Sequence, residues 1–339
     1  MNILHILASG DVGGIERQCF DEFSIASNHY FCFMKRHGVF FEKMKNDSRT
    51  IGIFDNKSLN IFKVVIAYKK ILRFIKNNTI NKVIFEFMSP PAYLIALMIC
   101  RKKIPTYCYI HCSFNEYPKK RINLYLFSRV LKKTNGIIAI SKYVKKSILD
   151  VYPSFENNIH VLYNGTQLNG KMKNQSLNPT IRFVYVGRII KQKGIENDIE
   201  FITKHFTNFT FDIIGDGPQL MEYAQKYENE RIHFLGRVTE NLNDILQKYD
   251  YFIHMPNWEE GFGIALIEAL KNGLPVICTN KGALSEIINN GYNGYIVDNM
   301  NEIDERITNY QIYKQVCINA FQSSKEFSIE NTIKLLDEL

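Results

Sequence analysis

Glu260 and Glu268 stand eight residues apart in the run HMPNWEEGFGIALIEALKNGLPVIC, residues 254–278. Between them Gly261 and Gly263 leave the backbone uncrowded, and a helix predicted from about Ile264 presents N–H groups at its start, where a phosphate is favoured. Ile264, Ala265, Leu266, Ile267, Ala269 and Leu270 make that helix apolar nearly all round. Glu268 is therefore expected to be buried, where a carboxylate needs hydrogen-bond donors. A second group lies in Gly187-Arg188-Ile-Ile-Lys-Gln-Lys193-Gly194. There a glycine at a strand end is followed by two cations five residues apart, a spacing that can hold a diphosphate from two sides. Arg188 grips oxygens bidentately and Lys193 acts as a point charge. His111 follows the apolar run 106–110 and is predicted to sit at the carboxyl edge of a parallel sheet, the usual ligand crevice. Gly13 and Gly14 lie in the loop after the first predicted strand, where backbone can approach a phosphate or sugar closely; the spacing is not that of a dinucleotide fingerprint.

The elements that must position these residues alternate between strand and helix. Apolar runs at 2–7, 30–34, 83–87, 106–110, 136–140 and 159–162 read as strands, with helices from Ile15 and over 61–75 and 92–100 between them. The polar stretch TQLNGKMKNQSLNPT reads as a flexible linker over about 165–180. Strands then resume at 181–186, 211–214, 232–235, 251–254 and 274–279, with a final strand in 291–297 and an amphipathic helical tail. This is α/β alternation repeated in two domains, as 339 residues allow.

The net charge of +8 hides an asymmetry: residues 1–165 carry 25 Lys+Arg against 11 Asp+Glu, a balance of +14, and residues 166–339 carry 17 against 23, a balance of −6. In the basic half, Arg101-Lys102-Lys103, Lys119-Lys120-Arg121, Lys132-Lys133 and the lysines of 142–146 cluster around RINLYLFSRVL, with Leu124, Tyr125 and Phe127 beside the charge. That composition suits an anionic lipid surface, or equally a solvated basic face; nucleic acid is a poorer reading, since no nucleic-acid module accompanies it. Seven cysteines without a C-x-x-C pair argue for a reducing compartment and against a disulfide frame or a zinc site, and Cys108 and Cys112 beside His111 read as core thiols. No run reaches the length of a membrane span and the start MNILHILASGD lacks a basic leader, so a cytoplasmic protein is expected.

The E-x7-E pair, followed by Gly273, Pro275, Val276 and Glu286-Ile287-Ile288, together with G-R-x4-K-G at 187–194, resembles the signature of retaining glycosyltransferases of the GT-B fold, the group 1 or family 4 enzymes. The resemblance runs from Gly13 to Glu286. It implies two doubly wound Rossmann-like domains facing across a cleft, with an acceptor domain at 1–165, a linker at 166–180, a nucleotide-sugar domain at 181–310, and a C-terminal helical segment at 311–339 that crosses back. Glu268 would accept from ribose hydroxyls, and Glu260 would lie near the donor sugar beside the amides of Gly261, Phe262 and Gly263. Gly187, Arg188 and Lys193 would hold the leaving diphosphate without a metal, and Arg237 and Val238 would lie by the base. Gly13-Gly14-Ile15-Glu16 would face the donor, with His111 by the transferred sugar; His111, Glu260, Arg188 and Lys193 form the expected catalytic group. Lys281 stands where relatives more often have the first glycine of a pair, and no D-x-D metal pair is present. The expected reaction is hexosyl transfer with retention, from a nucleotide diphosphate sugar, foremost a UDP-sugar, to a lipid-linked, lipopolysaccharide or capsule acceptor at the membrane face. No cofactor is expected. The competing readings are a silent partner subunit of the same fold and a nucleotide-sugar epimerase.

Overall fold

The computed structural model describes residues 1–11, 13–55, 61–86, 89–114, 121–238, 241–301 and 303–339. The chain forms two units, Met1–Gly165 with Ile329–Leu339, and Thr166–Ser328. In the first, β1 (Ile3–Leu7), β2 (His29–Lys35), β3 (Thr50–Phe54), β4 (Lys82–Phe85), β5 (Thr106–Ile110), β6 (Gly136–Ala139) and β7 (Ile159–Val161) pair in the order β3-β2-β1-β4-β5-β6-β7. Every pairing is parallel. Strands buried on both faces must be apolar almost throughout, as Ile3, Leu4, Ile6, Leu7, Val83, Ile84 and Phe85 are. His5 is the polar exception within β1 and is fully buried.

The order of the strands reverses between β1 and β4, and at that reversal the crossover helices leave a crevice at the carboxyl ends. Glu86 follows β4 there. Phe87, placed in the same strand by sequence, and Lys119-Lys120 of the basic cluster lie outside the described residues. At the amino ends of the strands, the C-terminal helix Ile329–Glu338 is captured by the buried Lys82, whose Nζ donates to the carbonyl of Leu336 at 2.6 Å, and by Tyr107, whose hydroxyl donates to the carbonyl of Leu339 at 2.6 Å. A cation at a helix C-terminus faces the negative end of its dipole. Only this last helix joins the first unit; helix Tyr310–Ser323, read from sequence as part of the same tail, belongs to the second.

The second unit is built from β8 (Ile181–Val186), β9 (Phe209–Ile214), β10 (Ile232–Gly236), β11 (Tyr251–His254), β12 (Val276–Thr279) and β13 (Gly294–Val297), in the order β10-β9-β8-β11-β12-β13, again all parallel. Its core holds Phe183, Tyr185, Phe201, Phe211, Tyr251 and Tyr313. The reversal falls between β8 and β11.

Residues 166–180 do not form the flexible linker that their polar composition suggests. Lys173 is buried, donating from Nζ to the Tyr249 carbonyl and, at 2.5 Å, to the Tyr313 hydroxyl, with Asp250 Oδ1 at 3.5 Å. Asn178 donates to Asp250 at 3.0 Å, and Lys173 N donates to the Asn272 carbonyl at 3.0 Å. Gly170 approaches the Lys271 carbonyl so closely that a Cβ would stand 2.2 Å from its oxygen. Polar residues satisfy one another here as the segment packs down on the second unit. Lys173→Ala removes the ammonium from Tyr249, Tyr313 and Asp250, while Arg182, 3.1 Å from Asp250, still compensates that carboxylate. The variant is expected to lower the stability of the second unit by about 1–3 kcal/mol in urea unfolding, the cost of buried groups left without their hydrogen bonds, whereas a mobile linker would show no change.

Candidate functional site

In the second unit the loop after β8 and the loop after β11 leave the sheet side by side at its reversal and are fastened to each other. Gly194, at φ +67°, ends the turn Lys191–Lys193, and a Cβ there would stand 2.1 Å from the Met255 carbonyl oxygen, so only glycine fits. Asn197 donates to the Met255 carbonyl and to Asn257 Oδ1, both at 2.9 Å. Asn257 donates in turn from its backbone N–H to the Gln192 carbonyl at 2.9 Å and from its side chain to the Lys191 carbonyl at 2.8 Å. Met255 N donates to the buried Asp198 at 2.7 Å; burial pushes the Asp198 carboxyl well up, which this single backbone hydrogen bond does not reverse.

These staples deliver Lys193 to Glu260. Lys193 Nζ donates to Glu260 Oε1 at 2.5 Å, and the same oxygen receives the indole N–H of Trp258 at 3.0 Å and Nε2 of His254, the last residue of β11, at 3.1 Å. Among the described residues no donor reaches the second carboxylate oxygen. Burial acts to raise the Glu260 carboxyl, but the His254 hydrogen bond and the charge of Lys193 outweigh it and hold the group far below the usual carboxylate range. Burial also pushes the His254 imidazole down, more than Glu260 raises it, so at neutral pH it is an uncharged donor. Gly282, at φ +61°, presses on the Glu260 backbone, where a Cβ would meet the carbonyl oxygen at 2.1 Å, and Ala283 N donates to that carbonyl at 2.9 Å. Lys281, one residue earlier, stands 3.9 Å from Glu259.

Arg188 is exposed on the loop that carries Lys193. Gly187 is hemmed in by Gly215, at φ +147°, where a Cβ would lie 1.8 Å from the Gly187 carbonyl oxygen. Arg237 pairs with Asp216 at 3.1 Å and is exposed, with Val238 beside it and half-buried. Gly261 and Phe262 are buried, Phe262 against Phe327 with ring centroids 5.9 Å apart, and Gly263 caps the short helix Ile264–Leu270.

Glu268 is buried as expected, but it does not lack a charge partner. Lys271 Nζ lies 2.5 Å from Oε2, and Thr166 Oγ1 donates to Oε1 at 3.1 Å. One helical turn separates the pair, and Lys271, itself buried, also donates to the Gln167 carbonyl at 3.2 Å. The physical reason is the one that predicted a partner at all: a lone buried carboxylate is costly, and the nearest cation on the same face satisfies it.

His111 and the pair Gly13 and Gly14 lie in the first unit. Gly13 precedes helix Gly14–Ile25, with extended backbone at φ −161°. His111 Nε2 bonds Glu86 Oε2 at 2.7 Å, and its ring lies 4.3 Å from that of Tyr109. Glu86 Oε1 bonds His5 Nδ1 at 2.7 Å. Burial would raise the Glu86 carboxyl, but the two histidines bring it down to about 2. Sequence reading missed Glu86 and His5, and register explains both. His5 pairs with Ile84 and Phe31, and Phe85 with Cys108, so the two-residue period puts His5, Ile84, Glu86, Tyr109 and His111 on one face of the sheet. The signal available in sequence was a charged residue directly after an apolar strand that is central to the sheet. In the basic half, Phe127, which the sequence sets beside the charge, is buried against Phe114, 4.8 Å between ring centroids. The exposed apolar residues of helix Arg121–Lys133 are Ile122 and Tyr125, with Arg129, Lys132 and Lys133 also exposed.

Two family models match end to end, glycosyltransferase family 4 over residues 31–169 and glycosyl transferases group 1 over residues 170–311. Curated relatives include an uncharacterised glycosyltransferase of Methanocaldococcus jannaschii, 27% identical over 314 residues covering 87% of each chain. Another is an uncharacterised 41.2 kDa protein in the cps region of Klebsiella pneumoniae, 29% identical over 300 residues, 80% of this chain and 82% of that one. Among solved structures, Anabaena HepE in complex with UDP superposes with a TM-score of 0.82 at 16% identity, over 100% of this chain and 99% of that one. The lipopolysaccharide outer core galactosyltransferase WaaB in its apo form gives 0.73 at 19% identity, over 100% of both. These likenesses are of fold: two Rossmann-like units of the GT-B type.

Glu260→Gln removes the charge that three donors converge on, and is expected to destabilise the second unit by about 1.5–3 kcal/mol at pH 7. Because the folded-state value lies below the ordinary carboxylate value of about 4.3, this contribution is fully present above that pH and is lost as pH falls toward the folded value. Urea midpoints of wild type and variant should therefore run parallel from pH 7 to about 5 and converge below about 4.

Proposed function

We propose that this chain, a group 1 glycosyltransferase of GT-B fold, moves a hexose from a nucleotide diphosphate sugar to a glycan intermediate with retention of configuration and without a metal at the diphosphate. The observation that carries the reading is the delivery of Lys193 to Glu260 at the reversal of the second sheet, with Arg188 exposed on the same loop. Departure of a nucleoside diphosphate develops negative charge on its oxygens. Lys193, held by Glu260, and Arg188 on the same loop are the cations that stabilise it, an effect of about 2.7–4 kcal/mol for one well-placed group. Glu260, held by His254 and Trp258, keeps one oxygen for a sugar hydroxyl. Glu268 receives the ribose hydroxyls alongside Lys271, and Arg237 and Val238 line the base. In the first unit, His111, oriented by Glu86, and the Gly13-Gly14 backbone are the candidates for contact with the sugar. The acceptor hydroxyl attacks the face from which the diphosphate leaves, and its proton passes to the departing phosphate.

UDP is the proposed nucleotide. Structural neighbours support this, since HepE is described in complex with UDP, with UDP and glucose, and with UDP-glucose. A relative in a cps region and a likeness to a lipopolysaccharide galactosyltransferase support a surface-polysaccharide acceptor. No helix among the described residues is long and apolar enough to cross a membrane. The exposed Ile122 and Tyr125 beside Arg129, Lys132 and Lys133 support reversible contact with an anionic membrane surface, where such an acceptor would be met.

Calorimetric titration with UDP, GDP and ADP in the presence of EDTA is expected to show binding of UDP in preference to the others. Lys193→Ala should weaken it at least 10-fold, a loss of about 1.4 kcal/mol. Failure of all three nucleotides to bind would remove the donor site from this loop pair. In sedimentation with vesicles, the wild type is expected to partition onto phosphatidylglycerol-containing but not purely zwitterionic membranes. Ile122→Asp with Tyr125→Asp should release it while UDP binding persists.

A further inference from the structure

The first unit contains a second cluster of ligand-type atoms that the donor reading does not use. His5 Nε2, His29 Nδ1 and Glu22 Oε2 face one another inside the sheet–helix core, in residues that are 0%, 0% and 1% exposed. His5 Nε2 and His29 Nδ1 are 3.1 Å apart, and each stands 3.4 Å from Glu22 Oε2. The backbone brings them together by period. His5 pairs with Phe31, so His29, two residues earlier on β2, shares its face, and helix Gly14–Ile25 lays Glu22 on that face.

Hydrogen bonding within the triangle leaves an atom over. Between the two imidazole nitrogens one must be donor and the other acceptor, and Glu22 Oε2 then has no hydrogen-bond partner although it is buried. An unpaired carboxylate oxygen at that depth is costly. A cation at the centre satisfies all three atoms together. Ligands on a tetrahedral zinc at arms of about 2.0–2.1 Å stand about 3.3–3.4 Å from each other, close to the edges observed. The outer contact of His5 has the form that a metal-binding histidine requires: its Nδ1 bonds Glu86 Oε1 at 2.7 Å, which fixes the ring so that Nε2 points inward. Glu22 Oε1 accepts from Gln18 Nε2 at 2.8 Å, and His29 Nε2, which makes no hydrogen bond, lies 3.9 Å from Asp337 Oδ1.

We propose that His5, Glu22 and His29 form a buried three-ligand site for one zinc ion. Two imidazoles and a carboxylate are a zinc donor set. A divalent cation also offsets the two buried carboxylates Glu22 and Glu86, whose counter-charges among the described residues are histidines. The alternative grouping of His5 with Cys19 and Glu86 is less suited to a metal: His5 Nδ1 and Glu86 are already at hydrogen-bond distance, and burial raises the Cys19 thiol and keeps it protonated. Since Glu86 also bonds His111, the ion would hold His111 in place through His5 and Glu86. The site stands independently of the donor assignment in the second unit.

The test is elemental analysis of the full chain purified without chelator, followed by demetallation and titration with Zn²⁺ and Co²⁺. The expected result is uptake of about one ion per chain, a rise in Tm on adding zinc, and cobalt absorption bands of tetrahedral intensity. His29→Gln and Glu22→Gln should abolish uptake and leave UDP binding unchanged. Wild-type protein that is folded by circular dichroism yet takes up no zinc and gives no cobalt spectrum would overturn the proposal, leaving a hydrogen-bonded histidine cluster only. Uptake that survives in both variants would overturn it too. Should either variant fail to fold, the wild-type cobalt spectrum still decides.

Discussion

Glu260 is almost entirely buried and remains ionised, and much of the second unit's edge follows from that combination. A carboxylate taken out of water needs donors from several directions, and no single loop supplies them. The charge comes from Lys193 on the loop after β8, one neutral N–H from the end of β11, and another from Trp258 on the loop itself. For these to converge, the two loops must be fixed to each other to within a few tenths of an ångström. Asn197, Asp198 and Asn257 do this through backbone carbonyls and amides, and two glycines at positive φ, Gly194 and Gly282, allow backbone to touch backbone. The side chains that could meet a ligand are thus held by groups that never would.

The first unit solves a related problem in its interior. Three histidines and two glutamates run along one face of its central strands, from His111 beyond the carboxyl end of β5 to His29 at the amino end of β2. A two-residue period makes such a seam unavoidable once His5 is placed in β1, because its neighbours on that face are fixed by parallel register. Apolar residues there would pack at lower cost in desolvation, so the polar seam is expensive structure retained in the middle of a core. His5 shows the tension: burial lowers its proton affinity, yet the carboxylates of Glu22 and Glu86 outweigh burial and raise it.

Much of this was legible in sequence where periodicity and turn chemistry act locally. The strand ending at His254, the glycine loop, the helix with Glu268 and the two-sheet α/β plan all follow from residue order. What could not be read were contacts set by burial between distant residues. Nothing in the sequence marks Lys271 as a partner, but Thr166 and Gln167 fold over it and its ammonium becomes the counter-ion of Glu268. Residues 166–180 looked like a linker because polar residues signal solvent, and here Lys173 and Asn178 are instead consumed by Asp250 and its neighbours. His5 and Glu86 lay in apolar strands, where sequence gives no reason to pair them until strand order is known.

The pairing of Lys193 with Glu260 bears on how a diphosphate could use that lysine at all. Two opposite charges about 4 Å apart attract by about 4 kcal/mol at an effective dielectric of 20, so full exchange of Glu260 for phosphate would carry a large penalty. Exchange is not required. An ammonium has three N–H donors, and one directed at Glu260 Oε1 leaves two for phosphate oxygens. In such a shared arrangement the carboxylate fixes the position of the lysine before the ligand arrives, so less side-chain entropy remains to be lost on binding. The same pairing cancels the lysine's charge at long range, which leaves exposed Arg188 and Lys191 as the cations of this loop that an approaching anion senses first. Attraction and positioning are thereby divided between residues of a single loop.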